Sequence, residues 1–437
     1  MSFDIATGIG GFIVLLALIV IGVPVFFSML FVTIIGFWLL GGLPLMLSQF
    51  TYGLHFMAEN YMFAVLPLFI LVGEIATQTA ISQNAFTAIN RWVGKVRGAQ
   101  LMTVVIANAV IGAISSSPST GTVLSVRVAM PELEKIKYDK PYCLSAIIAS
   151  GTLVSLIPPS ASILTFCILT GASVGRSLVA SIIPGILLTL VFCISIWIYG
   201  KIKPEKIPIQ SDIGLEVSWR EKFLSLISLL PIAVLFLLLV GGIYLGIFTP
   251  TAGGAVAATA ILIYALSTKV PFDNIVEAFK NTVIMNSQIF PLIIAGFMFA
   301  RFTTLTGMTD FLLDFVVGLK APPLIVIGVV IIVYILISFP MEMLPAMIIT
   351  LPVFFPLLTG IGFSPYTLVV ILTILITLAA FTPPTGLAVY TVASLARVNV
   401  MDIWRGVTPW FITIFIFVWI LILFPFLTTW LPNLFYG

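Results

Sequence analysis

Charged residues are scarce in this sequence of 437 residues. They make up 8% of the chain, against 61% hydrophobic residues, whereas a soluble domain carries about 25% charged residues. A globular core cannot absorb such an apolar excess, because a soluble protein has to cover its surface with water-compatible side chains. The composition therefore excludes a soluble protein, and the net charge of +3 gives no indication of a nucleic-acid partner.

Histidine and cysteine are nearly absent as well. His55 is the only histidine, which excludes a metal site or a catalytic group that needs a histidine pair, including the HExxH motif. Cys143, Cys167 and Cys193 lie singly in apolar stretches without CxxC spacing. We expect all three to be small buried hydrophobic side chains. The chain is therefore not expected to be an enzyme.

Long apolar runs are abundant, and about 20 such residues suffice to cross a bilayer. They lie at 9–40, which holds two passes, and at 61–77, 178–200, 223–247, 253–268, 281–300, 323–339 and 410–429. Residues 1–8 contain Asp4 and no basic n-region, so we expect the first run to be a membrane span and not a cleaved signal. The sequence predicts an all-α, multi-pass membrane protein.

Prolines inside the apolar segments occur twice in the same order. The first series is Pro24, Pro67, Pro118, Pro158-Pro159 and Pro184, and the second is Pro250, Pro291, Pro340, Pro383-Pro384 and Pro409. Each member of the second series follows its counterpart by 226, 224, 222, 225 and 225 residues. This register predicts two repeats, at 1–200 with a hairpin at 101–130 and at 223–437 with a hairpin at 322–358. The polar segment 201–222 joins them as a linker.

The basic residues indicate how the repeats are oriented. The predicted spans are 5–22, 24–41, 61–78, 141–172 and 178–200, then 223–247, 250–268, 281–301, 366–396 and 408–432. If both hairpins re-enter, sixteen of the 19 Lys and Arg residues lie on one side and only Arg176, Arg301 and Lys320 on the other. By the positive-inside rule the linker is cytoplasmic and both termini are outside. Five crossings in each half make the repeats inverted.

Four polar segments that break helices lie at membrane depth, at 115–121, 155–160, 338–342 and 382–386. A broken helix leaves carbonyl groups free at one end and amide groups free at the next. The carbonyls, with Ser and Thr oxygens, can coordinate a dehydrated cation such as Na⁺, and the amide ends favour an anionic group. The repeat pairs the first segment with the second and the third with the fourth. We therefore predict two cation sites that flank one substrate site.

These four segments supply the predicted site residues. The predicted Na⁺ ligands are Ser115, Ser117, Thr120, Ser155 and Pro158 at the first site, and Ser338, Met341, Thr382, Pro383 and Gly386 at the second. The predicted substrate-binding residues are Ser116, Ser117, Ser160, Glu342 and Thr385. The alternative is that these hydroxyl groups only bond to the backbone of kinked helices. Four such segments paired by the repeat favour the binding site.

Three ionisable residues leave their roles open. Glu342, on the second tip, is either a group of the transport pathway or part of a tip exposed to water. Glu74 is either paired structurally or involved in transport. Arg301 ends a span and can simply extend toward the membrane surface.

Several motifs in these regions resemble one known family. They are PLFILVGE (67–74), GAISSSPSTGTV (112–123), LIPPSAS (156–162), IIPGILL (182–188), GIFTPTAGGAV (246–256) and the stretch from LPVFF at 351 through FTPPTG at 381–386 to ARV at 398. Together they resemble the large membrane subunit of a tripartite ATP-independent periplasmic (TRAP) transporter along essentially the whole chain. The family usually has Gly-Ser then Ala-Thr at the first tip, where this chain has Ser116-Ser117 then Ser119-Thr120. At the second tip it commonly has Asp, where this chain has Glu342.

The resemblance implies a fold and a function. The fold is that of an elevator-type ion transporter with two inverted repeats, two re-entrant hairpins and two discontinuous helices. The function is secondary active import of organic acids, such as C4-dicarboxylates or sialic acid, by symport with Na⁺ and without an organic cofactor.

The resemblance also implies partners. They are a soluble periplasmic substrate-binding protein, a small four-helix membrane subunit as a separate chain, and the lipid bilayer of the bacterial inner membrane. A stand-alone Na⁺/carboxylate symporter of similar architecture is the first alternative. A membrane hydrolase is the second, disfavoured by the single histidine and the lack of paired intramembrane aspartates.

Cysteine labelling tests the predicted orientation. In a chain whose native cysteines are replaced, Ser211→Cys in the linker should stay unreactive toward a membrane-impermeant maleimide in intact spheroplasts, because the linker is cytoplasmic. Tyr436→Cys, near the C-terminus, should react under the same conditions. Permeabilised spheroplasts, in which both positions have to react, are the control. The opposite labelling pattern would show that the orientation is wrong.

Overall fold

The structure is a computed structural model that describes residues 3–93, 96–115, 118–208, 218–383 and 386–436, without the side chains of residues 61, 119 and 120. Every regular element in these ranges is helical. Seven of the helices are long and apolar enough to cross a membrane, and ten spans result if each bent helix pair forms one. The chain is thus an all-α, multi-pass membrane protein.

Nine helices form the first half. They are α1 (Phe3–Val20), α2 (Val25–Glu59), α3 (Val65–Thr77), α4 (Ile81–Val93), α5 (Ala99–Gly112), α6 (Pro118–Lys135), α7 (Lys140–Leu156), α8 (Ala161–Thr170) and α9 (Val174–Ile202). A short 3₁₀ turn, Tyr61–Ala64, precedes α3.

Twelve helices form the described part of the second half. They are α10 (Trp219–Ile227), α11 (Leu230–Phe236), α12 (Gly242–Tyr244), α13 (Pro250–Ser267), α14 (Phe272–Leu305), α15 (Met308–Gly318), α16 (Pro323–Ser338), α17 (Met343–Gly360), α18 (Pro365–Thr377), α19 (Leu387–Ala396), α20 (Val400–Leu423) and α21 (Phe426–Tyr436). A π-helical turn, Leu237–Gly241, joins α11 to α12, and a 3₁₀ turn, Leu378–Ala380, extends α18.

The proline register reappears as a register of whole helices. Helices α6 and α17 begin at Pro118 and Met343, 225 residues apart, and α7 and α18 begin at Lys140 and Pro365, again 225 residues apart. In each half a helical hairpin, α5–α6 or α16–α17, is followed by an interrupted helix, α7–α8 or α18–α19. The predicted fold class is therefore confirmed. The domain boundaries and the inversion of the repeats across the membrane stay predictions.

The interruption between α7 and α8 follows from its sequence. Helix α7 ends where Ile157 takes an extended conformation (φ −74°, ψ 128°), as expected for a residue that precedes proline. A cis peptide bond joins Pro158 to Pro159. Ser160 then caps α8, because its side chain accepts a hydrogen bond from the Ile163 backbone N–H. The two helices are bent by 48° at this break.

The two interrupted helices form the centre of the molecule. The residues of α7 from Tyr142 to Leu156 and those of α18 from Thr367 to Thr377 are all buried. The hairpins pack on them: α5 and α6 on α7, and α16 and α17 on α18. Of the cysteines, Cys143 and Cys167 are buried as expected, and Cys193 is partly buried.

Two of the predicted spans are shorter than the helices that contain them. The span at 24–41 ends at a kink, where Gly41 and Gly42 leave helical geometry, but α2 continues from there to Glu59. The span at 281–301 lies within α14, which begins at Phe272 and runs through Pro291. Both extensions carry polar residues, so a search for apolar runs does not find them. The span at 223–247 is also wrong as one helix, since it is divided among α10, α11 and α12.

Arg301 holds one of these extensions in place. Its Nε donates a hydrogen bond of 2.7 Å to Gln49 Oε1 in the second part of α2. Its guanidinium carbon also lies 4.3 Å from the centre of the Tyr52 ring, a distance that allows a cation–π contact. Arg301 therefore joins α14 to α2 and does more than extend toward the membrane surface.

Candidate functional site

One cavity of about 450 Å³ lies where the four interruptions meet. The first hairpin contributes Pro118 and Thr122, and the α7–α8 region contributes Thr152, Ser155 and Ser162. The second hairpin contributes Met341, Glu342 and Met343, and the α18–α19 region contributes Thr377, Ala380 and Leu387. The two halves thus build one site together, as the pairing of the four segments predicts.

The α7–α8 interruption is closed by a single hydroxyl group. Ser160 Oγ donates a hydrogen bond to the Ser155 carbonyl across the break and accepts one from the Ile163 N–H at 3.2 Å. Ser155 Oγ donates to Met343 Sδ at 3.7 Å, which links this break to the second hairpin. Ser155 lines the cavity, whereas Ser160 and Pro158 are buried behind its wall. Ser160 is thus bonded within the break that it was predicted to open to substrate.

The second tip places an acidic side chain in the cavity wall. Helix α16 ends at Ser338, whose hydroxyl donates a 2.7 Å hydrogen bond to the Tyr334 carbonyl. Met341 is buried and Glu342 is exposed, and both line the cavity. Glu342 occupies the N-cap position of α17, where the helix dipole favours a negative charge. It is also the one ionisable group among the described residues that line the cavity.

The α18–α19 interruption contains an oxygen without a partner. The Thr382 N–H donates to the Leu378 carbonyl at 3.1 Å, and the Gly386 N–H donates to the Thr382 carbonyl at 3.0 Å. Thr382 Oγ1, by contrast, is buried and has no hydrogen-bond partner among the described residues. A buried polar group left in this way lowers stability by about 1–3 kcal/mol. Pro383, also predicted as a ligand, is exposed at the same turn.

The first tip lies tightly against α7. A Cβ atom at Gly112 would lie 3.0 Å from Val154 Cα, and a Cβ atom at Gly151 would lie 2.7 Å from Thr122 Oγ1. Glycine at both positions therefore lets the hairpin backbone approach the interrupted helix closely. Ser115 is buried at this tip, and its N–H donates to the Ile111 carbonyl at 2.8 Å. Such contact keeps the first tip beside the α7–α8 break.

Four predicted site residues cannot be placed by their side chains. Ser116, Ser117 and Thr385 lie outside the described residues, and of Thr120 only the backbone is described, within α6. Their predicted roles stay predictions.

Sequence reasoning missed a wall of the cavity. Met285, Gln288 and Ile289 of α14 and Ile70 of α3 line it as well. None of them lies at a helix interruption, so the search for broken helices had no signal for them. Glu74, also on α3, is buried and its side chain hydrogen-bonds to Asn281 of α14. It is not among the lining residues, so the structure favours its pairing role.

Comparisons with known proteins agree with this architecture. The chain matches the family described as "Tripartite ATP-independent periplasmic transporter, DctM component" over residues 12–427. A C4-dicarboxylate TRAP transporter large permease protein of Pseudomonas aeruginosa is 28% identical, over 86% of this chain and 87% of that protein. An ectoine TRAP transporter large permease protein of Halomonas elongata is 24% identical over 96% and 97%, and a sialic acid TRAP transporter large permease protein of Vibrio cholerae is 24% identical over 97% and 97%.

A solved structure shares the fold. The Alcanivorax borkumensis YdaH transporter, described as having an unusual topology, superposes with a TM-score of 0.64 over 89% of this chain and 88% of that one. The two sequences are 14% identical, so this similarity concerns the fold alone.

Replacing Ser160 tests how the α7–α8 break is held. Ser160→Ala removes the cap of α8 and the bond to the Ser155 carbonyl, so it should lower the free energy of unfolding by about 1–3 kcal/mol. Ser173→Ala is a matched control, because Ser173 has the N-cap position of α9 without a side-chain cap bond. Thermal unfolding in detergent measures both variants. Equal melting temperatures for the two would contradict the role of Ser160.

Proposed function

Because the chain belongs to the DctM component family of the tripartite ATP-independent periplasmic transporters, we propose that it is the large translocating subunit of a Na⁺-coupled importer of organic acids. The observation that supports this most is the meeting of four helix interruptions around one cavity. Interrupted helices at membrane depth are the usual ion and substrate sites of secondary transporters.

The chemistry of the interruptions suits Na⁺. Carbonyl and hydroxyl oxygens are hard, neutral ligands, and this site offers them at all four breaks. Thr382 Oγ1 is the most specific of them, since it is buried without a partner and a cation beside it would satisfy it. Glu342, the ionisable group of the described cavity wall, adds negative charge that attracts a cation.

Two sets of residues would hold the two ions. Ser115, Ser155 and Pro158, with Ser117 and Thr120, belong to the interruptions of the first half. Ser338, Met341, Thr382, Pro383 and Gly386 belong to those of the second. In this proposal backbone carbonyls supply most of the ligands, and the hydroxyl groups complete them.

The charge of the cavity sets an order of binding. A carboxylate at Glu342 repels an anionic substrate while it attracts a cation. An organic acid therefore binds better once Na⁺ has entered, which couples the two. The anionic group of the substrate would face the amide ends of the interrupted helices near Ser116, Ser117, Ser160 and Thr385.

We also propose the substrate class and the partners. Three relatives are named for C4-dicarboxylate, ectoine and sialic acid, all of which are small polar molecules, and a cavity of about 450 Å³ suits such a size. C4-dicarboxylate or a sialic acid is proposed here. A periplasmic binding protein delivers it, a small four-helix membrane subunit completes the transporter, and the hairpin-bearing part moves as an elevator in the bacterial inner membrane.

Uptake measurements test the coupling. In cells that contain the chain and its partners, uptake of the organic acid should follow an imposed Na⁺ gradient and persist after ATP depletion while that gradient is held. One net positive charge moved across ~100 mV supplies about 2.3 kcal/mol, or roughly fifty-fold accumulation. Undiminished uptake with choline in place of Na⁺ would refute the coupling. Uptake that needs no soluble binding protein would favour a stand-alone symporter.

Thr382→Val tests the second cation site directly. The change removes a buried hydroxyl without a partner, so the ion-free protein should be as stable as the wild type or more stable. The increase of melting temperature with Na⁺ concentration should become markedly weaker. Thr373→Val is the matched control, because Thr373 Oγ1 is also buried without a partner in the described part of α18 and does not line the cavity. If both variants respond to Na⁺ like the wild type, Thr382 is not a ligand.

A further inference from the structure

A buried hydrogen-bond network joins the two arms of the first hairpin to α7. Ser125 Oγ on α6 donates to Asn108 Oδ1 on α5 at 2.7 Å. Asn108 Nδ2 donates to Ser150 Oγ on α7 at 2.6 Å, and Ser150 Oγ in turn donates to the Ile147 carbonyl at 2.8 Å. Asn108, Ser125 and Ser150 are each 0% exposed. The side chains therefore fix three helices relative to one another in a place that water does not reach.

The network lies close to the interruptions without being part of them. Asn108 lies about one turn before α5 ends at Gly112, and Ser150 lies in the last two turns of α7, which ends at Leu156. Ser155, in the same last turns of α7, lines the cavity. A change of register at Asn108 would thus move the first tip along the α7–α8 break.

The packing around the network makes such a change harmful. A Cβ atom at Gly121 would lie 3.6 Å from Asn108 Oδ1 and 3.3 Å from Val154 Cγ2. The surrounding contacts are between small or apolar groups, which have little directional preference. A buried polar group with geometrically strict partners is one of the devices by which packed helices define a single register.

The second hairpin lacks this link at the paired positions. In the 225-residue register of α6 with α17 and of α7 with α18, Ser125 corresponds to Thr350 and Ser150 to Leu375. Leu375 has no hydrogen-bonding group, and Thr350 Oγ1 donates to the Ala346 and Met347 carbonyls of its own helix. The two hairpins are thus attached to their interrupted helices by different means, and only the first has this polar link.

We propose that Asn108 is a positioning residue of the first cation site. It holds the tip of the first hairpin at a set distance from the α7–α8 interruption, so that oxygens from both segments meet around one ion. This inference rests on the proposed Na⁺ coupling. It adds a residue that contacts neither ion nor substrate but determines how well the ion is bound.

The test measures the Na⁺ concentration that gives half of the maximal thermal stabilisation of the full-length chain in detergent, with choline as the inert cation. Asn108→Leu and the milder Ser125→Ala should raise this concentration roughly three- to tenfold, the effect expected when one or two hydrogen bonds no longer hold the site. Thr350→Val, which removes the equivalent hydroxyl from the second hairpin, is the matched control and should leave the value within twofold.

A triple variant separates positioning from simple stabilisation. Asn108→Leu with Ser125→Ala and Ser150→Ala leaves no partner of the network unpaired, so the melting temperature without Na⁺ should recover toward that of the wild type. The half-saturating Na⁺ concentration should nevertheless stay raised, because an apolar contact does not define the register. If it recovers together with the melting temperature, the network is only structural and the inference is wrong.

The wild-type measurement distinguishes the two levels of failure. If the wild-type chain is not stabilised by Na⁺ over choline, the proposed coupling is contradicted and this inference with it. If the wild type responds to Na⁺ and Ser125→Ala responds at the same concentration, only the positioning role of Asn108 is contradicted.

Discussion

Backbone polar groups inside a membrane have to find partners within the protein, and the architecture depends on this constraint. An uninterrupted helix satisfies it internally, and an interrupted helix does not. The chain interrupts its helices at the α7–α8 and α18–α19 breaks and turns them back at two hairpin tips. All four places lie around one cavity. Grouping the interruptions lets polar groups from both halves share the same environment, away from lipid.

The rest of the structure protects that environment. Helices α7 and α18 are buried along most of their length, so lipid does not reach the groups freed at their ends. Glycines at 112 and 151 bring the first hairpin against α7, and Ser160 closes the break with hydrogen bonds on both sides. The two halves follow one plan but differ in detail: the first hairpin is joined to its helix by buried side-chain hydrogen bonds. The proposed ion sites are therefore related by the repeat without being identical.

Much of this fold can be predicted from sequence, because proline acts locally. A proline such as Pro158 or Pro118 interrupts or starts a helix wherever it lies, so its spacing predicts where helices α6–α8 and α17–α19 begin and end. The helices that combine apolar and polar residues were missed, since the second part of α2 is held by Arg301 and Gln49 and not by apolar sequence alone. The Asn108 network and the α14 wall of the cavity could not be predicted either. Both depend on residues distant in sequence, and one sequence contains no signal of that contact.

The central claim is that the oxygens of the interrupted helices bind the coupling cation. Electron cryo-microscopy of the chain in its membrane complex, in Na⁺ and in choline, tests this most directly. The account predicts Na⁺-dependent density at two places, one between the first tip and the α7–α8 break and one beside Thr382 and the second tip. Well-ordered tips without such density, or cation density elsewhere in the molecule, would contradict it.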